Sequence, residues 1–256
     1  MKTWIGWVIL SLFARLLFAG NMPGETDVIF YAGFENTLDA EKALGSKTAV
    51  FSGPAAYAPG IKGQGVVLDK DAVLGYKTKD NLRGEEGTIV FWLKPIYGYT
   101  LEDTVPLFST INDQAGLRLV KKTASMNLGY EDTREAANHE LEAMFHTKGG
   151  ATPLAQFTDF EAWGSNQWAM IAVSWSQNGA AVYLNGKRLT ERSSDARFDE
   201  TKLPDTMWFG KVSGNEKNGV RAVLDEFTVY KKSLSASEIE ALFNSRPAVP
   251  PGGKGP

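Results

Sequence analysis

The chain has 256 residues, 43% of them hydrophobic and 22% charged, which leaves room for one β-sandwich with a full core or for two small domains. Its formal net charge of -3 provides no strong attraction to nucleic acid or to an anionic membrane. It contains no cysteine, which excludes disulfides, thiolate zinc sites and a cysteine nucleophile.

The N-terminal segment 1–20 is predicted to be a secretion signal. Lys2 provides one positive charge, an apolar run follows from 4 to 18, and a cleavage site is expected close to Ala19. The alternative is an uncleaved anchor, with membrane contact through this segment alone, but the run is interrupted by Arg15 and is short for a bilayer span. We expect an exported bacterial protein, secreted or periplasmic, because the chain also lacks N-glycosylation acceptor sequences.

The first half of the remaining chain predicts short strands joined by turns. Segment 27–35 is a plausible first strand, and segment 63–69 is another that is entered from a glycine corner. Segment 87–95 alternates cleanly and ends at Pro95, because proline cannot donate to a strand ladder. Further strands are predicted at 105–110, 116–121, 125–130 and 139–146.

The clearest pattern is a double hairpin over residues 168–189. Two runs of apolar, β-branched and aromatic residues flank Asn178-Gly179, and Asn185-Gly186 follows the second run. Asn and Gly tolerate the positive φ of tight hairpin turns, so this stretch predicts a strand, a turn, a strand and a second turn. Both faces of the first run are largely apolar, which indicates a strand inside a packed sheet.

The C-terminal part predicts two more strands, at 207–210 and 220–230, and then a short helix. Ser235 and Glu238 have the spacing of a capping box, and apolar residues follow at helical spacing. Segment 246–256 is almost entirely proline, glycine and lysine with little to bury, so it is predicted to be a disordered tail.

Several of these segments together resemble the laminin-G-like, concanavalin A-like lectin/glucanase superfamily. The segments that carry the resemblance are, in chain order, 34–36, 63–68, 87–95, 168–189 and 224–239. The Asn-Gly hairpin, the Asp225-Glu226 strand and the Leu-Ser-x-x-Glu-Ile ending are the most specific of them. The resemblance implies an all-β jelly-roll sandwich of two curved antiparallel sheets with a short C-terminal helix, over residues 27–245.

An incomplete carboxylate pattern argues against catalysis. The retaining glucanases that this chain resembles carry their carboxylates at alternating positions of one strand, because alternate residues face the same cleft. The nearest match is Glu140 and Glu142, which are followed on that face by Met144 and His146 instead of a third carboxylate. A solvated strand with alternating charge explains the pattern without catalysis. We expect no enzymatic activity and keep a divergent glycoside hydrolase as an alternative.

Calcium is a plausible ligand by resemblance, because similar proteins hold this ion with acidic side chains and carbonyls near the sheet rim. Calcium takes six to eight oxygen ligands and tolerates irregular loops. The candidate ligands are Glu35, Asp39 and Asp225. The alternative for Asp225 is a carboxylate that accepts hydrogen bonds from a neighbouring loop.

Glycan recognition requires exposed aromatic rings, on which sugar rings stack their C–H faces. The aromatic residues expected in loops are Tyr97, Tyr99, Tyr130 and Trp163. Three further tryptophans, in dense apolar strands, are expected in the core: Trp92, Trp168 and Trp175. The sequence thus favours an exported, non-catalytic module that binds a glycan or cell-envelope polysaccharide. The alternative is an adhesion module for an extracellular protein on the same fold.

Overall fold

The computed structural model describes residues 25–69, 72–96, 104–112, 114–125, 137–147, 150–158, 166–210 and 220–246. The predicted secretion signal at 1–20 lies outside these ranges, and so does the predicted tail 246–256 except for its first residue, Arg246. The domain boundaries at both ends therefore stay predictions.

Sixteen strands and one α-helix form the main regular structure of the described residues. The strands are β1 (Val28–Ala32), β2 (Lys42–Ala43), β3 (Ala49–Phe51), β4 (Tyr57–Pro59), β5 (Gln64–Leu68), β6 (Val73–Lys77), β7 (Gly87–Pro95), β8 (Thr104–Ser109), β9 (Gly116–Ser125), β10 (Ala137–Thr147), β11 (Gly150–Thr158), β12 (Ala169–Ser176), β13 (Gly179–Leu184), β14 (Lys187–Arg192), β15 (Thr206–Gly210) and β16 (Ala222–Tyr230). The helix α1 spans Ala236–Asn244, and short 3-10 turns lie at Glu25–Asp27 and Glu200–Lys202.

The strands form two antiparallel sheets. The nine-stranded sheet has the order β14-β13-β12-β7-β16-β1-β2, with β5 also paired to β16 and β4 paired to β5. The seven-stranded sheet has the order β11-β10-β9-β8-β15-β6-β3. The predicted all-β sandwich is confirmed.

Aromatic and aliphatic side chains fill the space between the two sheets. The ring centroid of Phe209 lies 4.7 Å from that of Phe227 and 5.2 Å from that of Phe91, both in edge-to-face geometry. Each ring comes from a strand whose alternate residues point inward. Full burial of one such side chain contributes about 1.5–3 kcal/mol, so this aromatic cluster is a main source of stability.

The predicted double hairpin is confirmed as β12, β13 and β14. Gly179 in the first turn has φ of 142°, and a Cβ there would lie 2.0 Å from the carbonyl oxygen of Arg192, so only glycine fits. Asn185 and Gly186 in the second turn also have positive φ. Strand β12 is buried on both faces, because one faces the inter-sheet core and the other faces α1.

The helix α1 packs on the outer face of the nine-stranded sheet. Its N-terminus has the predicted capping box between Ser235 and Glu238. Its apolar face closes a second hydrophobic cluster, whose main members are Val90, Trp92, Met170, Tyr183, Tyr230, Leu234 and Ile239. Within the described ranges, no helix has both the length and the apolar character needed to cross a membrane.

The first and last strands of the sandwich are neighbours. Val28 at the start of β1 is paired with Tyr230 at the end of β16. Just beyond this pair, the N–H of Lys231 donates to the carbonyl oxygen of Asp27 over 2.8 Å. The chain therefore enters and leaves the sandwich at one point of the nine-stranded sheet.

Candidate functional site

The four loop aromatics predicted to bind glycans all fall outside the described residues. They are Tyr97, Tyr99, Tyr130 and Trp163. Their role therefore stays a prediction. Of the three tryptophans predicted in the core, Trp175 lies between the sheets, whereas Trp92 and the half-buried Trp168 belong to the cluster under α1.

Asp225 lies on the outer side of β16 and is completely buried. Its Oδ2 accepts hydrogen bonds from the backbone N–H groups of Ile61 and Lys62 at 2.8 and 3.1 Å, and its Oδ1 accepts from the N–H of Glu226 at 2.8 Å. A Cβ on Gly60 would lie 2.4 Å from Oδ2, so the loop approaches the carboxylate closely. Asp225 thus fastens loop 60–63 to the sheet, which is the alternative that the sequence left open.

Burial raises the pKa of the Asp225 carboxyl group to about 7. The neighbouring Glu226 carboxylate raises it further, while the three backbone N–H donors act in the opposite direction because they stabilise the charged form. The three backbone N–H donors thus compensate only in part for the burial of the Asp225 carboxylate.

The other two predicted calcium ligands also accept backbone hydrogen bonds, each from a different segment. A carboxylate oxygen of Glu35 accepts from the N–H of Gln64 at 3.1 Å, and Asp39 accepts from the N–H of Ala49 at 2.9 Å. Among the described residues, no group of three or more His, Cys, Asp or Glu side chains is arranged to hold a metal ion. The described side chains therefore do not form one calcium ligand set, and calcium binding remains a prediction for a metal titration.

Next to Asp225 lies a groove of about 280 Å³ between loop 60–63, β16 and the end of α1. At its mouth the hydroxyl of Tyr31 donates to Glu226 over 2.6 Å, and the ammonium of Lys62 lies 3.6 Å from the same carboxylate. Burial and, to a smaller extent, the hydrogen bond to Glu226 raise the pKa of Tyr31, so the phenol stays protonated. Arg246 stacks on Phe243 at the other end. The phenol, the ammonium and the carboxylate at the mouth of the groove therefore bind one another.

The two glutamates considered for catalysis lie on β10, and Glu142 is on the outer face of the seven-stranded sheet. Leu141, Ala143 and Phe145 alternate with them and are buried in the core. Glu140 is paired with Lys122 and Glu142 with Val120 of the neighbouring strand β9. Core-facing and outward-facing residues thus alternate along this strand, as the sequence predicts.

The main feature of this same face is Trp208 on β15. Its neighbours Met207 and Phe209 point into the core, so the indole points outward and is partly exposed. On the adjacent strand β6 the paired residue is Gly75, and a Cβ there would lie 2.5 Å from both Cε3 and Cζ3 of the indole. The six-membered ring therefore covers the backbone of β6, and glycine is required for it to do so.

A transverse row of outward positions continues from Trp208 across the sheet. In strand order this Trp208 row is Val50, Gly75, Trp208, Ser109, Arg118 and Met144. Val50 is 47% exposed, and Arg118 and Met144 are partly exposed. Ser109 is 1% exposed, and its hydroxyl has no hydrogen-bond partner among the described residues. The row brings a flat apolar ring close to a guanidinium, and the Glu142 carboxylate lies two residues from Met144 on the same face of β10.

Trp208 was not among the site residues predicted from the sequence, although a signal was present. In Met207-Trp208-Phe209 the central residue must face opposite to its two neighbours in any strand. The glycine in the middle of β6 was the second signal, because a glycine inside a strand marks close approach of another group. Only the pairing of β6 with β15 connects the two.

Comparison with protein families and curated proteins gives two findings. A family model described as concanavalin A-like lectin/glucanases superfamily matches residues 70–240. Paraclostridial mosquitocidal protein 1 from Paraclostridium bifermentans is 31% identical over 83 residues, which are 32% of this chain and 6% of that protein. The chain thus spans about 6% of the length of the curated relatives that it matches.

Two solved structures illustrate the similarity of fold. The binding domain of Paraclostridial Mosquitocidal Protein 1 has a TM-score of 0.64 and 17% identity, and the match covers 86% of this chain and 52% of that chain. Domain 4 of AbnA, a GH43 extracellular arabinanase from Geobacillus stearothermophilus in complex with arabinotriose, has a TM-score of 0.58 and 16% identity. That match covers 84% of this chain and 98% of the domain.

Proposed function

We propose, because the chain belongs to the concanavalin A-like lectin/glucanases superfamily, that it is an exported, non-catalytic module that binds a glycan or cell-envelope polysaccharide. In this proposal the ligand lies on the outer face of the seven-stranded sheet, along the Trp208 row. The residues that contact it are the indole of Trp208, the guanidinium of Arg118 and the carboxylate of Glu142.

The observation that carries the proposal is the partly exposed indole of Trp208, which packs closely against Gly75. A partly exposed tryptophan ring offers an apolar surface on which the C–H face of a sugar ring can stack. The guanidinium donates and the carboxylate accepts, so together they match sugar hydroxyls, which do both. No loop movement is needed to form the surface, because Trp208 and Gly75 lie on paired strands.

The relatives support a binding role over a catalytic one. AbnA domain 4 matches almost along its whole length, and its structure contains arabinotriose. The matched domain of Paraclostridial Mosquitocidal Protein 1 is described as a binding domain. The arabinanase is extracellular by its description, which agrees with the proposed export.

The test is binding of the chain from residue 21 onward to a panel of soluble polysaccharides. We expect wild type to be retained by at least one polysaccharide without release of reducing ends. Trp208→Ala should weaken that binding by about 2 kcal/mol, or roughly 30-fold, because buried tryptophan contacts dominate binding surfaces. Leu44→Ala is the control, since Leu44 is a 59% exposed apolar side chain outside the row.

Several outcomes separate the alternatives. Equal losses for both variants would indicate non-specific adsorption, and absence of binding to all polysaccharides would leave a protein partner as the better hypothesis. Release of reducing ends that disappears in Glu142→Gln would establish a hydrolase. The same panel run with calcium and with a chelator tests the calcium prediction, which requires that binding depend on the ion.

A further inference from the structure

A second cavity lies at one end of the strand pair β6 and β15. It has a volume of about 340 Å³ and is enclosed by turn 78–82, which follows β6, and by segment 200–205, which precedes β15. None of the sequence predictions involved these residues. The volume is at the small end of the range of ligand pockets.

Both walls of this cavity are held rigidly by hydrogen bonds. The side chain of Asn81, which is completely buried, accepts from the N–H of Gly45 at 2.8 Å and donates to the carbonyl oxygens of Ser46 and Lys77 at 2.8 and 3.0 Å. On the other wall, Glu200 accepts from the N–H of Gly84 at 3.0 Å. The cavity is therefore preformed, which lowers the entropic cost of binding.

The lining combines hydroxyl, carboxylate and apolar groups. Thr78 is 2% exposed, and its hydroxyl has no hydrogen-bond partner among the described residues. Leu82, Leu203 and Pro204 provide apolar surface. A buried hydroxyl without a partner is costly, so a ligand group that bonds to it gains more than at a solvated position.

The charged groups of the lining are largely paired with cations. Lys79, Asp80, Glu200 and Asp205 line the cavity, and a guanidinium nitrogen of Arg83 lies 3.5 Å from Glu200 while the ammonium of Lys77 lies 3.7 Å from Asp205. The lining therefore carries no large net charge, and its carboxylate oxygens accept hydrogen bonds from hydroxyl groups. A neutral sugar residue, with hydroxyls around an apolar ring face, matches this combination of groups.

The cavity lies at one end of the same strand pair, β6 and β15, that carries Gly75 and Trp208 of the row. Asp205, which lines it, directly precedes β15, and its carboxylate lies 3.7 Å from the ammonium of Lys77 at the end of β6. Trp208 is three residues further along β15, which corresponds to about 10 Å. Lys77 and Thr206, paired between the two sites, point to the same face as Trp208.

We propose that this cavity is the end subsite of the glycan site and receives a neutral terminal sugar of a chain whose inner residue stacks on Trp208. The inference rests on the proposed function, because it extends the same surface. With such an end subsite the module would bind the ends of glycan chains, whereas an open sheet face alone would bind anywhere along a glycan chain.

The test compares neutral oligosaccharides of increasing length, from the monosaccharide to the hexasaccharide, for the polysaccharide that wild type binds. End recognition predicts that the number of protein molecules bound per glycan chain does not increase with chain length. Thr78→Val should weaken binding about 3- to 10-fold, which is the effect of one hydrogen bond. It should not lower the melting temperature, because the hydroxyl makes no hydrogen bond within the described protein.

The outcomes distinguish this inference from the proposed function. If Trp208→Ala abolishes binding while Thr78→Val has no effect, or if more protein binds to longer chains, the end subsite is wrong and the glycan site stands. If a chain blocked at both ends binds as well as a free one, the subsite is likewise wrong. If wild type binds no neutral oligosaccharide or polysaccharide, both proposals fail.

Discussion

The two outer faces of the sandwich carry tryptophans in comparable positions, but with opposite surroundings. Trp92 points outward from the nine-stranded sheet and is 7% exposed, because α1 covers that face and Phe243 stacks on the indole at 5.8 Å. Trp208 points outward from the seven-stranded sheet and lies over a glycine. Outward orientation alone therefore does not make a tryptophan available to a ligand. What decides its role is whether a later segment of the chain folds over it.

The strongest test of this comparison is Trp92→Ala. Because the indole is buried between sheet and helix, its removal should lower the free energy of unfolding by about 3–5 kcal/mol. Glycan binding by the fraction that remains folded should not change. Denaturant unfolding and binding measured on the same preparation give both quantities, and a loss of binding at unchanged stability would contradict the assignment of the two faces.

The stability of the covered face should also depend on pH. The pKa of the Asp225 carboxyl group is raised from 3.8 to about 7 in the folded protein. Between pH 3.8 and about 7 the folded protein therefore retains a proton that the unfolded chain has lost. The free energy of unfolding should then decrease as the pH rises from about 4 to 7, by up to about 1.4 kcal/mol per pH unit.

The matched variants for this test are Asp225→Asn and Asp39→Asn. In Asp225→Asn the pH dependence should disappear, because the amide does not titrate. Asp39→Asn is the control, and because Asp39 is exposed, this substitution should leave the pH dependence unchanged. Urea unfolding between pH 4 and 8 provides the measurement. A slope that persists in Asp225→Asn would assign the titration to another group.

A smaller effect should come from Gly75→Ala on the outer face of the seven-stranded sheet. The added methyl group would lie 2.5 Å from the indole carbons and must displace the ring. We expect glycan binding to weaken by about 1 kcal/mol without loss of stability, since alanine is at least as compatible with a strand as glycine. In a Trp208→Ala background the same change should have no further effect, and additive losses would show that Gly75 acts independently of the indole.

Much of the fold could be predicted because local signals agreed with one another. The Asn-Gly turns at 178–179 and 185–186 and the capping box at Ser235 each determine their own geometry, and the structure contains them where they were expected. Strand β11 was not predicted, since Gly150–Thr158 has no clear alternation and is defined by its pairing with β10. Of the predicted strand at 125–130, only Ser125, the last residue of β9, lies within the described residues, so the rest of it stays a prediction.

The candidate site was harder to predict, because it depends on pairings between distant segments. Asp225 was singled out from the sequence as a calcium ligand, but the loop that its carboxylate binds lies more than 160 positions earlier in the chain. A calcium ligand and a carboxylate that binds backbone N–H groups have the same local sequence. Trp208 and Gly75 are likewise brought together only by strand order.

The pairing of β1 with β16 has a mechanical consequence. Residues 28 and 230 lie side by side at the end of an antiparallel pair, and the bond from Lys231 to Asp27 lies just outside them. A force that separates these two points would break the hydrogen bonds of this pair one after another, in an unzipping geometry, and would not load them all at once in shear. Tension applied between the two ends of the sandwich should therefore peel β1 away at low force, while a load carried through the Trp208 row and one end would act across the whole sandwich.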